Sequence, residues 1–318
     1  MAPIPKPRPH TALAIYSAIE AAEAEGFESV GISAGDIGDE CERAMFYSFR
    51  RVSPPEVITA LKRRIFERGN IEEDRLVALL NLAGIEVTDQ QARVRDCGGH
   101  VRGKIDGQAI GIVEAPATEH IVECKSSKDD AFKALKKDGV QKAKPLHYAT
   151  IQFYMHKRGL GRALYIVSNK NDEEIYTECV PYDAEFAMRL VARAERIIRS
   201  SNPPAKLHED PAAKMAFRCG YCKHKRVCHE GAWPRIHCRT CLHATPEFIG
   251  DQAAWSCARW AKPLTLAEQD AGCPAHLLLP GLVAGEQVDA DEDAETVTYR
   301  MRDGTIWVDG ARNKQEAA

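Results

Sequence analysis

Apolar residues fall at helical spacing in three early stretches of the chain. Residues 11–25 (TALAIYSAIEAAEAE) predict an Ala- and Glu-rich helix. Residues 33–49 predict a second, with Ser33 as its N-cap and Cys41 near its middle. After the Ser53-Pro54-Pro55 break, residues 56–84 predict one long helix, or two joined near Gly69-Asn70. The period then shortens. Residues 91–96, 100–105 and 120–125 alternate or are apolar between turn residues, which predicts three strands. Helical spacing returns in 128–138 and 145–158, strands follow at 163–168 and 174–181, and a helix at 183–200. Helices, a strand meander, a crossover and two more strands predict a mixed α/β domain.

Ser201-Asn202-Pro203-Pro204 marks a change of character. From Cys219 to about Pro280 the chain carries Cys, His and Trp with little periodicity, as expected of a module held by metal rather than by a core. The acidic run 288–295 (VDADEDAE) predicts a solvated segment, and 296–301 with 305–308 predict a hairpin turning at Arg302-Asp303-Gly304. These changes divide the chain at 1–30, 31–232, 233–285 and 286–318.

A hydrophobic content of 44% and a charged content of 28% are those of an ordinary globular protein. The net charge of −3 argues against a simple nucleic-acid coat but leaves room for an enzyme with a local basic groove. No apolar run is long enough to span a bilayer, and the basic, Pro-rich start lacks the apolar stretch of a secretory signal. A cytoplasmic location is therefore expected, host cytoplasm for a phage-encoded chain, with no membrane partner. Disulfides are rare in that compartment, so eleven cysteines point to metal binding. All but Cys97, Cys124 and Cys179 fall into two spaced groups.

Four acidic or basic features occur in order through the α/β region: Glu73 four residues after Gly69, Asp106 three after Gly103, then Glu123 and Lys125. Phosphodiester hydrolysis needs a hard divalent cation to polarise an oxygen and lower the pKa of a water. Mg²⁺ (or Mn²⁺) takes oxygen ligands, so two or three carboxylates suffice. In Glu-x-Lys on a strand both side chains share a face. Glu123 can then hold the metal while Lys125 orients or deprotonates the water, and Cys124 points into the core. Singly, each feature is ordinary: an ion pair, a turn, a solvated helix face. Their order and placement on helix, strand and strand are more specific.

In these features the chain resembles the RecB-like branch of the PD-(D/E)XK nucleases, which includes phage λ-type exonucleases. The resemblance spans about residues 30–230 and implies a restriction-endonuclease-like core, a mixed central sheet flanked by helices. It implies Mg²⁺ ligation by Glu73, Asp106, Glu123 and the Cys124 carbonyl, catalysis by Lys125, and DNA positioning by Gln152 and Tyr154. The family's helix reads Gln-x-x-x-Tyr, whereas Gln152 and Tyr154 stand two apart; His147 or Tyr148 is the alternative. Glu72 competes with Glu73, and the spacing from Gly69 favours Glu73. Arg43, Arg50, Lys62, Arg63 and Arg64 are candidates for positioning DNA through phosphate contacts, the last three equally for a solvated basic face.

Cys219, Cys222 and Cys228 form a compact set that Cys41 would complete. The arrangement is similar to the iron–sulphur nucleases of the same branch, which implies a structural 4Fe–4S cluster; zinc, with His224 or His229 as alternative ligands, is the competing reading. Cys238, Cys241, Cys257 and Cys273 match a closed zinc site, with His237, His243 and His276 nearby. Trp255, Trp260, Arg239 and Arg259 offer that module a surface for single strands, or else mark a folding clip. The expectation is a metal-dependent DNA nuclease, an exonuclease of recombination or end processing with an annealing or recombination partner. The alternative is a non-cutting protein on the same fold that binds nucleic acid or such a partner. No His-x-Glu precedes a Pro-Cys-x-x-Cys, which excludes a zinc deaminase.

Overall fold

A computed structural model describes residues 9–22 and 30–310. Residues 1–8, positions 23–25 of the first expected helix and the tail from 311 lie outside the described residues. The elements run α1 (His10–Ala22), β1 (Ile32–Ser33), α2 (Glu42–Phe49), α3 (Ala60–Leu82), β2 (Glu86–Thr88), β3 (Arg93–Asp96), β4 (Val101–Lys104), β5 (Gly107–Ile110) and β6 (His120–Ser127). They continue with α4 (Asp129–Ala143), α5 (Pro145–Arg158), β7 (Arg162–Asn169), β8 (Ile175–Pro181) and α6 (Ala184–Arg199). Two short helices follow, α7 (Phe217–Gly220) and α8 (Lys225–His229). The last part holds β9 (Ala244–Pro246), β10 (Trp255–Cys257), β11 (Lys262–Leu264), α9 (Leu266–Ala271), β12 (Gly285–Asp291), β13 (Thr296–Met301) and β14 (Ile306–Asp309).

The centre is a five-stranded sheet in the order β2-β5-β6-β7-β8. Only β6 and β7 pair in parallel, and α4 and α5 make the crossover between them. Side chains alternate across β6. Val122 and Cys124 pack with Leu76, Val77 and Leu80 of α3 on one face, while Ile121 joins Phe153, Ala194 and Ile197 of α5 and α6 on the other. This gives three layers, helix, sheet and helices. A smaller sheet, β1-β4-β3, abuts the first, and only Ile105 and Asp106 separate β4 from β5. The chain thus passes from one sheet into the other at Asp106. Among the described residues no helix is long and apolar enough to cross a membrane.

Two sequence expectations change, and one open alternative is resolved. The helix expected over 33–49 is broken: Ser33 caps a single 3₁₀ turn, and α2 begins only after Cys41, whose N–H donates to Asp39 Oδ1 at 2.7 Å. Gly38 lies in that break, where a Cβ would come within 2.4 Å of Ala149 Cβ, so the close approach to α5 needs glycine. The stretch 56–84 is one helix, α3, capped by Thr59, and Gly69 does not interrupt it. The acidic run from 288 is in part β12, the edge strand of a hairpin sheet with β13 and β14.

The Cys-rich segment has a core, contrary to the expectation from its poor periodicity. Cys238, Cys241, Trp255, Cys257, Leu264, Leu279 and Leu282 belong to the same apolar cluster as Phe46, Phe49 and Ile198. Trp255 stacks on Phe49 with centroids 5.3 Å apart and sits between the Arg50 and Arg239 guanidiniums, each 5.1 Å from its ring centre. Arg239 is fully buried and donates to the carbonyls of Val30 and Phe49 and to Gln269 Oε1. Trp255 and Arg239 are therefore withdrawn from any nucleic-acid surface, and so is Arg50. Trp260 remains half exposed, with Arg259 over its ring.

Trp255→Ala should lower unfolding free energy by about 3 kcal/mol, the low end for a buried aromatic because its indole N–H is buried without a hydrogen-bond partner. Urea denaturation followed by circular dichroism should show one transition displaced as a whole. A change confined to a separate minor transition would contradict the shared core.

Candidate active site

Glu123, Asp106, Lys125 and Glu73 meet at the point where β4 gives way to β5. Lys125 Nζ lies 2.6 Å from Glu123 Oε1 and 3.4 Å from Asp106 Oδ2, and donates to the Cys124 carbonyl at 2.9 Å. Asp106 Oδ2 also accepts the Cys124 N–H at 2.7 Å, which pins the bend to the centre of β6. Glu73 reaches in from α3 and is held by Gln91, whose Nε2 donates to Glu73 Oε1 at 2.7 Å. Its neighbour Glu72 turns to Arg75 instead. Sequence reasoning missed Gln91, which carries no signal beyond its place before β3.

Electrostatics follow from crowding three carboxylates around one ammonium. Burial raises the pKa of Glu73, with the Asp106 charge adding to it. Burial raises Glu123 as well, and the Lys125 charge only partly offsets that. The carboxylates in turn hold Lys125 protonated against the cost of burial. Glu123 Oε2 is buried and has no hydrogen-bond partner among the described residues, a costly state for a carboxylate oxygen. As the side chains stand, no three His, Cys, Asp or Glu among the described residues are close enough to hold a metal ion. The donor set nonetheless suits a hard divalent cation: three carboxylates and a main-chain carbonyl, with negative charge in excess and one orphaned oxygen.

The helix α5 supplies one wall. Tyr154 meets the main chain at Lys104 and feels both Glu123 and Asp106, and burial pushes its phenol well above the ordinary range. Gly103 makes room for it, since a Cβ there would stand 2.6 Å from the Tyr154 hydroxyl. His147 Nδ1 lies 2.7 Å from Tyr165 Oη, and Tyr165 is the β7 residue in register with Glu123. Gln152 does not reach the site. It is fully buried, donating to the Pro181 carbonyl and accepting the Asp183 N–H, so it ties α5 to the end of β8. Tyr148 packs on Phe186 of α6 and is also turned away. On α5, Tyr154 feels the carboxylates, while His147 feels Lys125 and bonds Tyr165.

Arg43 is likewise elsewhere, donating to Tyr47 Oη and to the Pro204 carbonyl near Cys228. The first cysteine group lies in one neighbourhood but, as its side chains stand, not close enough to hold a metal ion. Cys41 precedes α2, and its thiol acts electrostatically on Cys219 and on Cys228, which also feels Cys222. In the second group burial pushes the Cys238 thiol up to about 11, with Cys241, Cys273 and Cys257 contributing. Arg50 lies within reach of Cys241, and its hydrogen-bond acceptors are carbonyls, not carboxylates.

No family model matches this chain, and no curated protein does. Among solved structures similar to it is SSO0001, at 17% identity and TM-score 0.39 over 69% of this chain and 95% of that one. Another is the alkaline exonuclease LHK-Exo from Laribacter hongkongensis, at 15% identity and TM-score 0.39 over 57% of this chain and 90% of that one. LHK-Exo in complex with dAMP gives 12% identity and TM-score 0.36 over 58% and 90%.

Burial lowers the His147 pKa to about 4 from 6.5, and the Lys125 charge contributes second. A histidine so depressed is neutral at pH 7. The unfolded chain binds more protons between 6.5 and 4, so its contribution to stability is lost as pH falls through that window. Lys125→Met should raise the His147 pKa part of the way back, read from its imidazole protons by NMR titration. An unchanged value would remove Lys125 from its surroundings.

Proposed function

We propose that this protein is a metal-dependent DNA nuclease of the PD-(D/E)XK class, cutting at the Glu73–Asp106–Glu123–Lys125 site. The observation that carries the reading is convergence. Residues from α3, the β4–β5 bend and β6, separated by up to fifty positions of chain, stand around one ammonium beside an orphaned carboxylate oxygen. Structural ion pairs do not need a third carboxylate that adds to the raised Glu123 pKa; a cation site does.

In this reading Glu73, Asp106, Glu123 and the Cys124 carbonyl would hold Mg²⁺ or Mn²⁺. A divalent ion there supplies charge to a phosphate oxygen and acidity to a bound water. Lys125, fixed by its two carboxylates, presents an ammonium donor where charge develops on phosphate. Tyr154 shapes the wall of the site beside Gly103. Without a distinct sequence-reading module, cutting directed by ends suits the chain, as an exonuclease in recombination working with an annealing partner.

The cysteine groups extend the proposal. Cys41, Cys219, Cys222 and Cys228 would hold a 4Fe–4S cluster that joins the start of α2 to the segment after α6. Cys238, Cys241, Cys257 and Cys273 would hold zinc. Their thiolates would give the buried Arg50 guanidinium the counter-charge that no neighbouring carboxylate provides.

With Mg²⁺ or Mn²⁺ the purified protein should degrade end-labelled linear DNA, and Lys125→Ala should lose about 10²- to 10³-fold in rate. A Lys125→Ala protein that cuts as fast as the parent would sink the mechanism. Purified anaerobically, the protein should be brown and absorb in the visible. Colourless protein carrying only zinc would overturn the iron–sulphur assignment.

A further inference from the structure

Beside the acidic site lies a groove of about 1250 Å³, walled by the β3–β4 pair on one side and by the α7 segment on the other. On the first wall the antiparallel register sets Arg93 opposite Lys104 and Arg95 opposite Arg102. Alternation along both strands puts all four cations on one face, and all four line the groove. Like charges placed directly across a strand pair repel. The Arg102 pKa is accordingly lowered, first by burial and next by Arg95. Arg95 is partly relieved by Asp251 at 2.9 Å, and Arg102 donates to the Gly99 and Gln252 carbonyls. Arg93 and Lys104 are exposed and make no ion pair among the described residues.

The second wall is aromatic. Phe217 and Tyr221 are 73% and 81% exposed, with ring centroids 5.1 Å apart, and both line the groove. Lys223 stands next to them on the same wall. Two large rings left in water without an apolar neighbour to cover them are a poor bargain for folding alone.

We propose that this groove binds an unpaired DNA strand: phosphates along Arg93, Arg95, Arg102 and Lys104, and bases against Phe217 and Tyr221. A paired duplex presents phosphates but no free base faces, so the exposed rings select a single strand. Lys104 is two residues from Asp106, so this end of the groove is the one nearest the carboxylates. The proposal rests on the nuclease reading only for what happens at the end of that path. Binding itself is independent of cutting.

Binding of a fluorescein-labelled oligo(dT) is measured by anisotropy in EDTA, across a salt series, for the full chain and two variants. Arg93→Glu/Lys104→Glu should weaken binding at least tenfold and flatten the plot of log K against log salt by about 1.4, the share of two phosphate contacts on a single strand. Phe217→Ala/Tyr221→Ala should weaken binding about tenfold or more and leave the salt slope unchanged. Circular dichroism melts confirm that both variants fold, and a duplex of equal length should compete more weakly than oligo(dT). Oligo(dT) binding that is unchanged in both variants, or a duplex that competes equally, overturns the groove. Because no metal is present, those results stand apart from the nuclease assay: Mg²⁺-dependent cutting with normal binding in both variants rejects the groove alone. Intact groove binding with no cutting rejects the nuclease reading alone.

Discussion

The Asp106 carboxylate is the constraint on which the rest of this structure depends. It sits where one strand leaves the small sheet and enters the large one, and its Oδ2 takes both the Cys124 N–H and the Lys125 ammonium. A single oxygen thereby ties the β4–β5 bend to the middle of β6 and to the lysine. A hydrogen bond to a buried carboxylate acceptor is stronger than a neutral one and costly to leave unmade. Lys125 in turn keeps Glu123 ionisable inside the sheet, where burial alone would neutralise it. Chemistry and architecture share the same atoms here, so neither can be altered without the other.

Much of the α/β region is legible in sequence because its elements are periodic and bounded by turn residues. The strands at 163–168 and 174–181 and the helices at 145–158 and 183–200 appear within a residue or two of the expected places. β2 and β5 escaped notice because three or four residues give too few alternations to register. The break before α2 is set by tertiary contact, Gly38 against Ala149, which local spacing cannot report.

The candidate site divides the same way. Glu123 and Lys125 are readable because period-two alternation is a local rule. Gln152 misleads because an amide on a helix looks polar in sequence, while its burial and its bonds to Pro181 and Asp183 depend on elements thirty residues away. Trp255 and Arg239 mislead in the opposite sense. An aromatic beside basic residues reads as a nucleic-acid surface, yet the ring fills a gap against Phe49 and His100, and both flanking guanidiniums go inside with it. The cations that do line an open groove, Arg93 and Lys104, become a set only through cross-strand register.

The Trp255 stack has a consequence for the order in which the chain becomes functional. Phe49 and His100 emerge early during synthesis, whereas the ring that covers them and the Arg239 side chain that bonds the Phe49 carbonyl come some 140 or more residues later, at translation rates of about 5–20 residues per second. Until that segment arrives, the early core has an open apolar face and β4, which begins beside His100, lacks its final support. The core beneath β4 therefore gains its full packing only with residues 238–282 in place. The carboxylate cluster at the β4–β5 bend thus leans on a packing partner far along the chain.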